Sequence, residues 1–106
     1  MAVLNFSGVS AANAAISTTY AAVVGHRTRL WRVDAFTSAG TSGVTITIGS
    51  YVVFRTPTAH VATTLTTLSW TRSLETEPNT AMLISLAAAG VGNTGTLNVQ
   101  ADRVPL

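Results

Sequence analysis

The stretch GVTITIGS, residues 43–50, has the most regular hydrophobic pattern in the chain. Its three aliphatic residues alternate with two threonines, and successive side chains of a β-strand point to opposite faces. The aliphatic residues therefore share one face and the hydroxyls share the other, as in a strand with one buried side. Gly49-Ser50 predicts a tight turn or a bulge at the end of this strand.

Seven further segments have strand-like composition. Clusters of Gly, Ser, Pro or Asn separate them at about the 8–12-residue spacing of β-sandwiches and barrels. No long helical periodicity lies between them, so a parallel α/β sheet is disfavoured. We therefore expect an all-β, antiparallel fold of about eight short strands. The other segments are VLNFS (3–7), TTYAAVV (18–24), TRLWRVDAF (28–36), YVVFRT (51–56), ATTLTTLSW (62–70), AMLISLA (81–87) and GTLNVQADRV (95–104).

The length of 106 residues fits one domain. We expect an N-terminal arm or first strand over residues 1–17 and a single β-sandwich domain over residues 18–106. SAANAAIS (10–17) is alanine-rich and could be a short helix or part of the arm. AMLISLAAAG (81–90) contains good helix formers, yet its shortness and the alternating segment that follows favour a strand.

The composition is low in charge: 47% of residues are hydrophobic and 9% are charged, against roughly 25% in ordinary soluble domains. A surface with few charges is easier to desolvate, which favours assembly with other proteins. All six basic residues are arginine, and the net charge of +2 is a weak argument for a polyanionic partner. Without cysteine, disulfides and thiolate chemistry are excluded. The N-terminus lacks signal-peptide features, and AMLISLAAAGV is too short to span a bilayer, so we expect a soluble chain.

Motifs for catalysis, cofactors and metals are weak. GVGNTG (90–95) matches G-x-G-x-x-G, but a strand-like segment and the end of the sequence follow, so we interpret it as a glycine-rich hairpin connection rather than a dinucleotide site. His26 and His60 lack the spacing of metal ligands, and no serine stands in a nucleophile elbow. We expect no catalytic, cofactor-binding or metal-binding residues and a protein that is not an enzyme.

The stretch HRTRLWRVDAF, residues 26–36, contains three of the six arginines. As a regular strand it would place Trp31 in the core and Arg32 and Asp34 together on the outside. Because this pattern divides the positive charge between two faces, nucleic-acid binding is disfavoured. Arginine suits carboxylate pairing at protein interfaces, although ordinary surface arginine remains the alternative. The candidate interface residues are Arg32, Asp34, Arg72 and Arg103.

The aromatic residues divide into two groups. Trp31 and Phe54 lie in strongly strand-like runs and are predicted to be core residues. Tyr51, near a turn, and Trp70, at the end of a strand, are candidate exposed aromatics. Such side chains can stack on sugars or anchor a protein contact, although a purely structural role is the more common one for tryptophan in small domains.

The successions RLWRVDAFTSAGTSGVTITIG and TAMLISLAAAGVGNTGTLNVQADRV together resemble small virion proteins of tailed bacteriophages, of the capsid decoration (cement) type, with a jelly-roll-like β-sandwich. The resemblance implies a non-enzymatic protein on the virion exterior, made in the host cytoplasm. It also implies a homo-oligomer, commonly a trimer, bound to the major capsid protein, with residues 1–17 lying along capsid subunits or a neighbouring copy. Two alternatives stay open: a carbohydrate- or receptor-binding β-sandwich, and a tail, neck or baseplate component.

Overall fold

A computed structural model of the chain describes residues 2–106. The described chain is all-β, and its strands form two antiparallel sheets packed face to face, which confirms the predicted antiparallel β-sandwich. The strands are β1 (Ala2–Val3), β2 (Phe6–Val9), β3 (Ile16–Tyr20), β4 (His26–Thr37), β5 (Val44–Ile48), β6 (Tyr51–Arg55), β7 (Thr66–Glu75), β8 (Met82–Leu86) and β9 (Gly95–Pro105).

The predicted arm or first strand is largely paired in the sandwich. β1 and β2 share one register along β9, from Ala2 opposite Arg103 to Val9 opposite Thr96, so they form a single N-terminal strand with a short interruption. Turns follow at residues 12–13, and residues 16–17 already belong to β3. The alanine-rich segment 10–17 is therefore not a helix. Met1 lies outside the described residues.

The strands pair as a long hairpin that has been rolled up. The N-terminal strand pairs with β9, β3 with β8, β4 with β7, and β5 with β6. Rolling adds the pairings β4–β9 and β5–β8, which close sheet A (β1/β2-β9-β4-β7) and sheet B (β3-β8-β5-β6). Eight strands wound in this order are a jelly roll.

Local sequence signals predicted one connection correctly and another wrongly. The tip of the rolled hairpin is the turn Gly49-Ser50, where Gly49 has a φ of 61°, a value that glycine adopts without steric cost. AMLISLA forms β8, so the preference for a strand is confirmed. The expectation of a hairpin at residues 90–95 is wrong, because this segment joins β8 of sheet B to β9 of sheet A and so crosses between the sheets.

The core lies between the two sheets. Alternate residues of the central strands point inward, and the sequence patterns of β5 and β8 are matched by alternating burial. Burial of this apolar surface is the main favourable term in folding. The buried hydrophobic residues are Tyr20, Leu30, Val33, Ala35, Val44, Ile46, Val61, Met82, Ile84, Leu86, Leu97, Val99 and Ala101.

A β-bulge in β4 overturns one predicted core residue. Leu30 pairs with Ala101 and Arg32 with Gln100, so Trp31 is an extra residue on β4. Because a bulge shifts the alternation by one residue, Leu30 and Val33 both point into the core and Trp31 is 37% exposed. The assignment of Trp31 to the core is therefore wrong. Phe54 packs against the core as predicted.

Candidate functional site

The outer face of sheet A carries a cluster of polar and aromatic groups around Asp102. The Arg29 guanidinium donates two hydrogen bonds to the Asp102 carboxylate, at 2.7 Å from Nε and 2.8 Å from Nη2. The Trp31 indole N–H donates to the same carboxylate at 3.2 Å, and the Arg29 guanidinium lies 5.2 Å from the centroid of the Trp31 ring. The bulge in β4 makes this arrangement possible, because it turns Trp31 outward beside Asp102.

This cluster shifts the ionisation of both charged members. The hydrogen bonds from Arg29 lower the pKa of Asp102, and the partial burial of the carboxyl opposes this effect. The hydrogen bonds with Asp102 raise the pKa of Arg29. Both shifts favour the charged forms, as expected for a bidentate pair of this geometry. The cluster thus acts as a fixed ion pair that joins β4 to β9.

Two more ion pairs lie on the outer face of sheet A. Arg27 contacts Glu75 at 3.3 Å and joins β4 to β7. Arg32 donates to Asp34 at 3.0 Å, and the Thr67 hydroxyl donates to the same carboxylate at 2.7 Å. Arginines along β4 are therefore matched by carboxylates on the same sheet, and much of the charge on this face is already paired.

The four predicted interface residues do not form one cluster. Arg32 and Asp34 contact each other on β4. Arg72 is exposed on β7, in the part of that strand that loses its register with β4. Arg103 lies near the end of β9 and donates to the carbonyl oxygen of Ala21 at 3.4 Å. Within residues 2–106, no ion pair links Arg72 or Arg103 to the pair on β4.

The outer face of sheet B is nearly free of charge. Strand pairing aligns its outward residues in two rows across the sheet, and each row begins on β3, crosses β8 and β5 and ends on β6. Arg55, at the end of one row, is the only ionisable side chain in either row. We call the other seven residues the neutral face: Ser17, Thr19, Thr45, Thr47, Val52, Leu83 and Ser85.

The two predicted exposed aromatics differ in their surroundings. Trp70 is partly buried, packs against the core and meets Phe54 edge to face at 5.7 Å between ring centroids. Tyr51 is 77% exposed and lines a groove of about 590 Å³ at the tip of the rolled hairpin. The lining of this groove is largely apolar, and Glu75 and Glu77 are among its residues.

Sequence reasoning missed both the Asp102 cluster and the neutral face. Asp102 stands 73 residues from Arg29 in the chain, and only strand pairing brings them together. The hydroxyls of the neutral face were visible in GVTITIGS as the outward half of an alternating strand. The sequence alone did not show that β8 and β3 continue the same rows on either side.

Across residues 2–106, no three His, Asp or Glu side chains come together in a way that could hold a metal ion. The same residues include no helix that is long and apolar enough to cross a membrane. Comparison with known proteins finds no matching family model, no matching curated protein and no matching solved structure.

Proposed function

We propose that the chain is a non-enzymatic virion structural protein of the capsid decoration type, whose neutral face binds the major capsid protein. One observation carries the proposal: the two outward rows of sheet B contain a single ionisable side chain, Arg55 at the end of one row, whereas the opposite face of the sandwich carries three ion pairs. Desolvating charges is costly, so the neutral face is the cheaper one to cover with another protein. The jelly-roll order adds support, since jelly rolls recur in viral capsid proteins, although they also occur in lectins.

The binding mode follows from the residues on the face. Threonine and serine hydroxyls can donate to and accept from backbone groups of a partner while their neighbours bury apolar surface. Arg55 at the rim supplies one charge that can pair with a carboxylate and set orientation. Many copies on a symmetric lattice raise the effective affinity, so each contact can be weak.

A capsid-binding assay tests the proposal. Purified protein is mixed with empty capsids assembled from the major capsid protein encoded in the same genome, and co-sedimentation is measured. Thr45→Lys places a charge on the neutral face and should weaken binding at least tenfold, or by about 1.4 kcal/mol. Thr63→Lys adds the same charge in the exposed loop before β7 and should leave binding unchanged.

The salt dependence of binding gives a second test. Contact through the neutral face should change little as ionic strength rises, whereas contact through the charged face of sheet A should weaken because salt screens exposed charges. Absence of co-sedimentation, or equal effects of the two lysine variants, contradicts the proposal. Binding to isolated tails or necks instead of capsids would assign the protein to those parts of the virion.

A second candidate, carbohydrate binding, is favoured by the groove at Tyr51. An exposed tyrosine ring offers a surface for stacking on a sugar, and the carboxylates of Glu75 and Glu77 can accept hydrogen bonds from sugar hydroxyls. Glycan-array binding that is lost in Tyr51→Ala but kept in Thr45→Lys would support this function. Wild-type protein that binds no glycan on the array would exclude it for the sugars presented.

A further inference from the structure

The sandwich has four strand edges without a partner in the described part of the chain: the N-terminal strand, β7, β3 and β6. An unpaired edge presents backbone N–H and C=O groups that can pair with a strand of another molecule. Proteins commonly protect such edges with charged side chains, proline, bulges or interruptions. The four edges of this protein differ in how far they are protected.

Three of the edges carry such protection. β6 has a bulge at Val53 and ends in a charged residue, Arg55. β7 loses its register with β4 and carries Arg72 and Glu75. The N-terminal strand is interrupted between β1 and β2. Each of these features opposes continuous pairing with another strand.

β3 has none of these features. All five of its residues, ISTTY, pair with β8 in one unbroken register, and residues 1–25 of the chain contain no ionisable side chain except Tyr20. The strand is also held firmly in place. The Tyr20 hydroxyl donates to the carbonyl oxygen of Leu4, and Ile16 packs over Gly8 where a Cβ would come within 2.9 Å of its Cδ1.

The pattern of β3 is self-complementary. In an antiparallel pair of two β3 strands centred on Thr18, residue 16 of each copy lies opposite residue 20 of the other, and residue 17 lies opposite residue 19. Ile16 and Tyr20 both face inward, and Ser17 and Thr19 both face outward, so opposed residues share a face. No like charges meet, which removes the main penalty of pairing identical strands.

β6 fails the same test. Because of its bulge, Val52 lies opposite Thr47 and faces outward, whereas Phe54 lies opposite Ile46 and faces inward. In an antiparallel pair of two β6 strands centred on Val53, Val52 of one copy would lie opposite Phe54 of the other. The two side chains would point to different faces of the sheet. When each edge strand of sheet B pairs with itself about its middle residue, β3 therefore keeps its inner and outer residues in register and β6 does not.

We propose that two copies of this chain associate through antiparallel pairing of their β3 strands, extending sheet B across both subunits. A two-fold contact of this kind closes at two copies, whereas the phage resemblance implies a trimer. The contact goes beyond the proposed function and does not require a capsid. It would also join the neutral faces of both copies, because Ser17 and Thr19 lie at the end of the two rows.

The test is self-association of the isolated chain, measured by size-exclusion chromatography with light scattering over a concentration series. The wild-type mass should rise from 11.0 kDa towards twice that value. In the double variant Ser17→Lys/Thr19→Lys, lysines oppose each other at both outward pairs, and association should weaken at least tenfold. The variant Ser17→Glu/Thr19→Lys opposes unlike charges in the same register and should restore association to near the wild-type value.

A matched control separates register from added charge. Thr63→Lys/Thr64→Lys adds two lysines in the exposed loop before β7 and should associate like the wild type. Circular dichroism checks that each variant keeps its β-structure. A wild-type chain that stays monomeric or forms a trimer overturns the proposal, as does a dimer that the lysines on β3 leave intact or that the Glu/Lys variant fails to restore. No capsid is present in this experiment, so its outcome does not depend on whether the protein binds capsids. Capsid binding is tested separately, by co-sedimentation of the Thr45→Lys variant.

Discussion

The bulge at Trp31 predicts that this residue can be deleted from a strand without destroying the fold. Around the bulge, Leu30 points inward, Trp31 and Arg32 point outward, and Val33 points inward. Removing Trp31 restores a regular alternation, and the register between β4 and β9 becomes continuous. Along β9, the deletion then removes only the Trp31 side chain, which the substitution Trp31→Ala also removes. On the other side of β4, the register with β7 is already irregular between Leu30 and Arg32, so the deletion breaks no regular pairing there.

The size of that loss follows from burial. A tryptophan buries about 150–250 Å² when fully enclosed, and Trp31 keeps 37% of its surface exposed. At about 25 cal/mol per Å² the covered part contributes about 2–4 kcal/mol. Deletion of Trp31 and Trp31→Ala should therefore lower the free energy of unfolding by similar amounts, within about 1 kcal/mol of each other.

Deletion of Ser85 provides the contrast. Ser85 is one of the two outward residues of β8. It lies between the fully buried Ile84 and Leu86, and β8 has a regular register with both neighbouring strands. Deleting Ser85 shifts the following residue to the other face, so that Leu86 would point outward. Loss of the burial of Leu86 alone should lower the free energy of unfolding by about 2–5 kcal/mol more than Ser85→Ala does. Urea unfolding of the four variants measures both differences. If deletion of Trp31 unfolds the protein while Trp31→Ala does not, the register argument is wrong.

Three further predictions concern stability and are tested by denaturant unfolding. The pKa of Asp102 is lowered in the folded protein. Its carboxylate therefore stabilises the fold at pH values above the ordinary aspartate pKa of about 3.9, and this stabilisation is lost as the pH falls through the lowered pKa. Asp102→Asn should lower the free energy of unfolding at pH 7, and the difference from the wild type should shrink below about pH 4. Gly40→Ala should cost about 1–3 kcal/mol more than Gly25→Ala, since both glycines have positive φ but only at Gly40 would a Cβ meet a backbone carbonyl oxygen, at 2.6 Å. Ile84→Ala should cost about 2–5 kcal/mol because the side chain is fully buried, and Leu83→Ala, one residue earlier on the outer face, distinctly less.

The sequence was sufficient for the fold class because the relevant signal is local. Alternation in GVTITIGS and the turn at Gly49-Ser50 give β5, the hairpin tip and β6 without knowledge of any distant residue. The same reasoning identified β8 as a strand despite its helix-forming residues. Such features can be predicted from one segment alone, because alternation has a period of two residues and a turn depends on neighbouring residues.

The errors arose where a distant partner decides the structure. Trp31 was assigned to the core because alternation was counted through β4 without interruption, and the bulge is defined by the pairing of β4 with the distant strand β9. The glycine segment 90–95 was interpreted as a hairpin because its flanking strands are adjacent in sequence, although they belong to different sheets. Asp102, the partner of Arg29, could not be predicted from the sequence for the same reason. Pairing between strands far apart in sequence is the information that local pattern does not contain.

The separation of charge in this molecule follows from how the hairpin is rolled. Six of the ten charged residues lie on β4 and β9, and rolling makes these two strands neighbours at the centre of sheet A. The strands of sheet B carry one charged residue in total, Arg55. One of the two free edges of this sheet, β3, comes from the N-terminal segment, which has no charged side chain. Any protein that covers sheet B, as proposed above, would meet hydroxyls, apolar groups and backbone. Charged substitutions at Thr45, for capsid binding, or at Ser17, for self-association, should therefore have larger effects than the loss of Arg32.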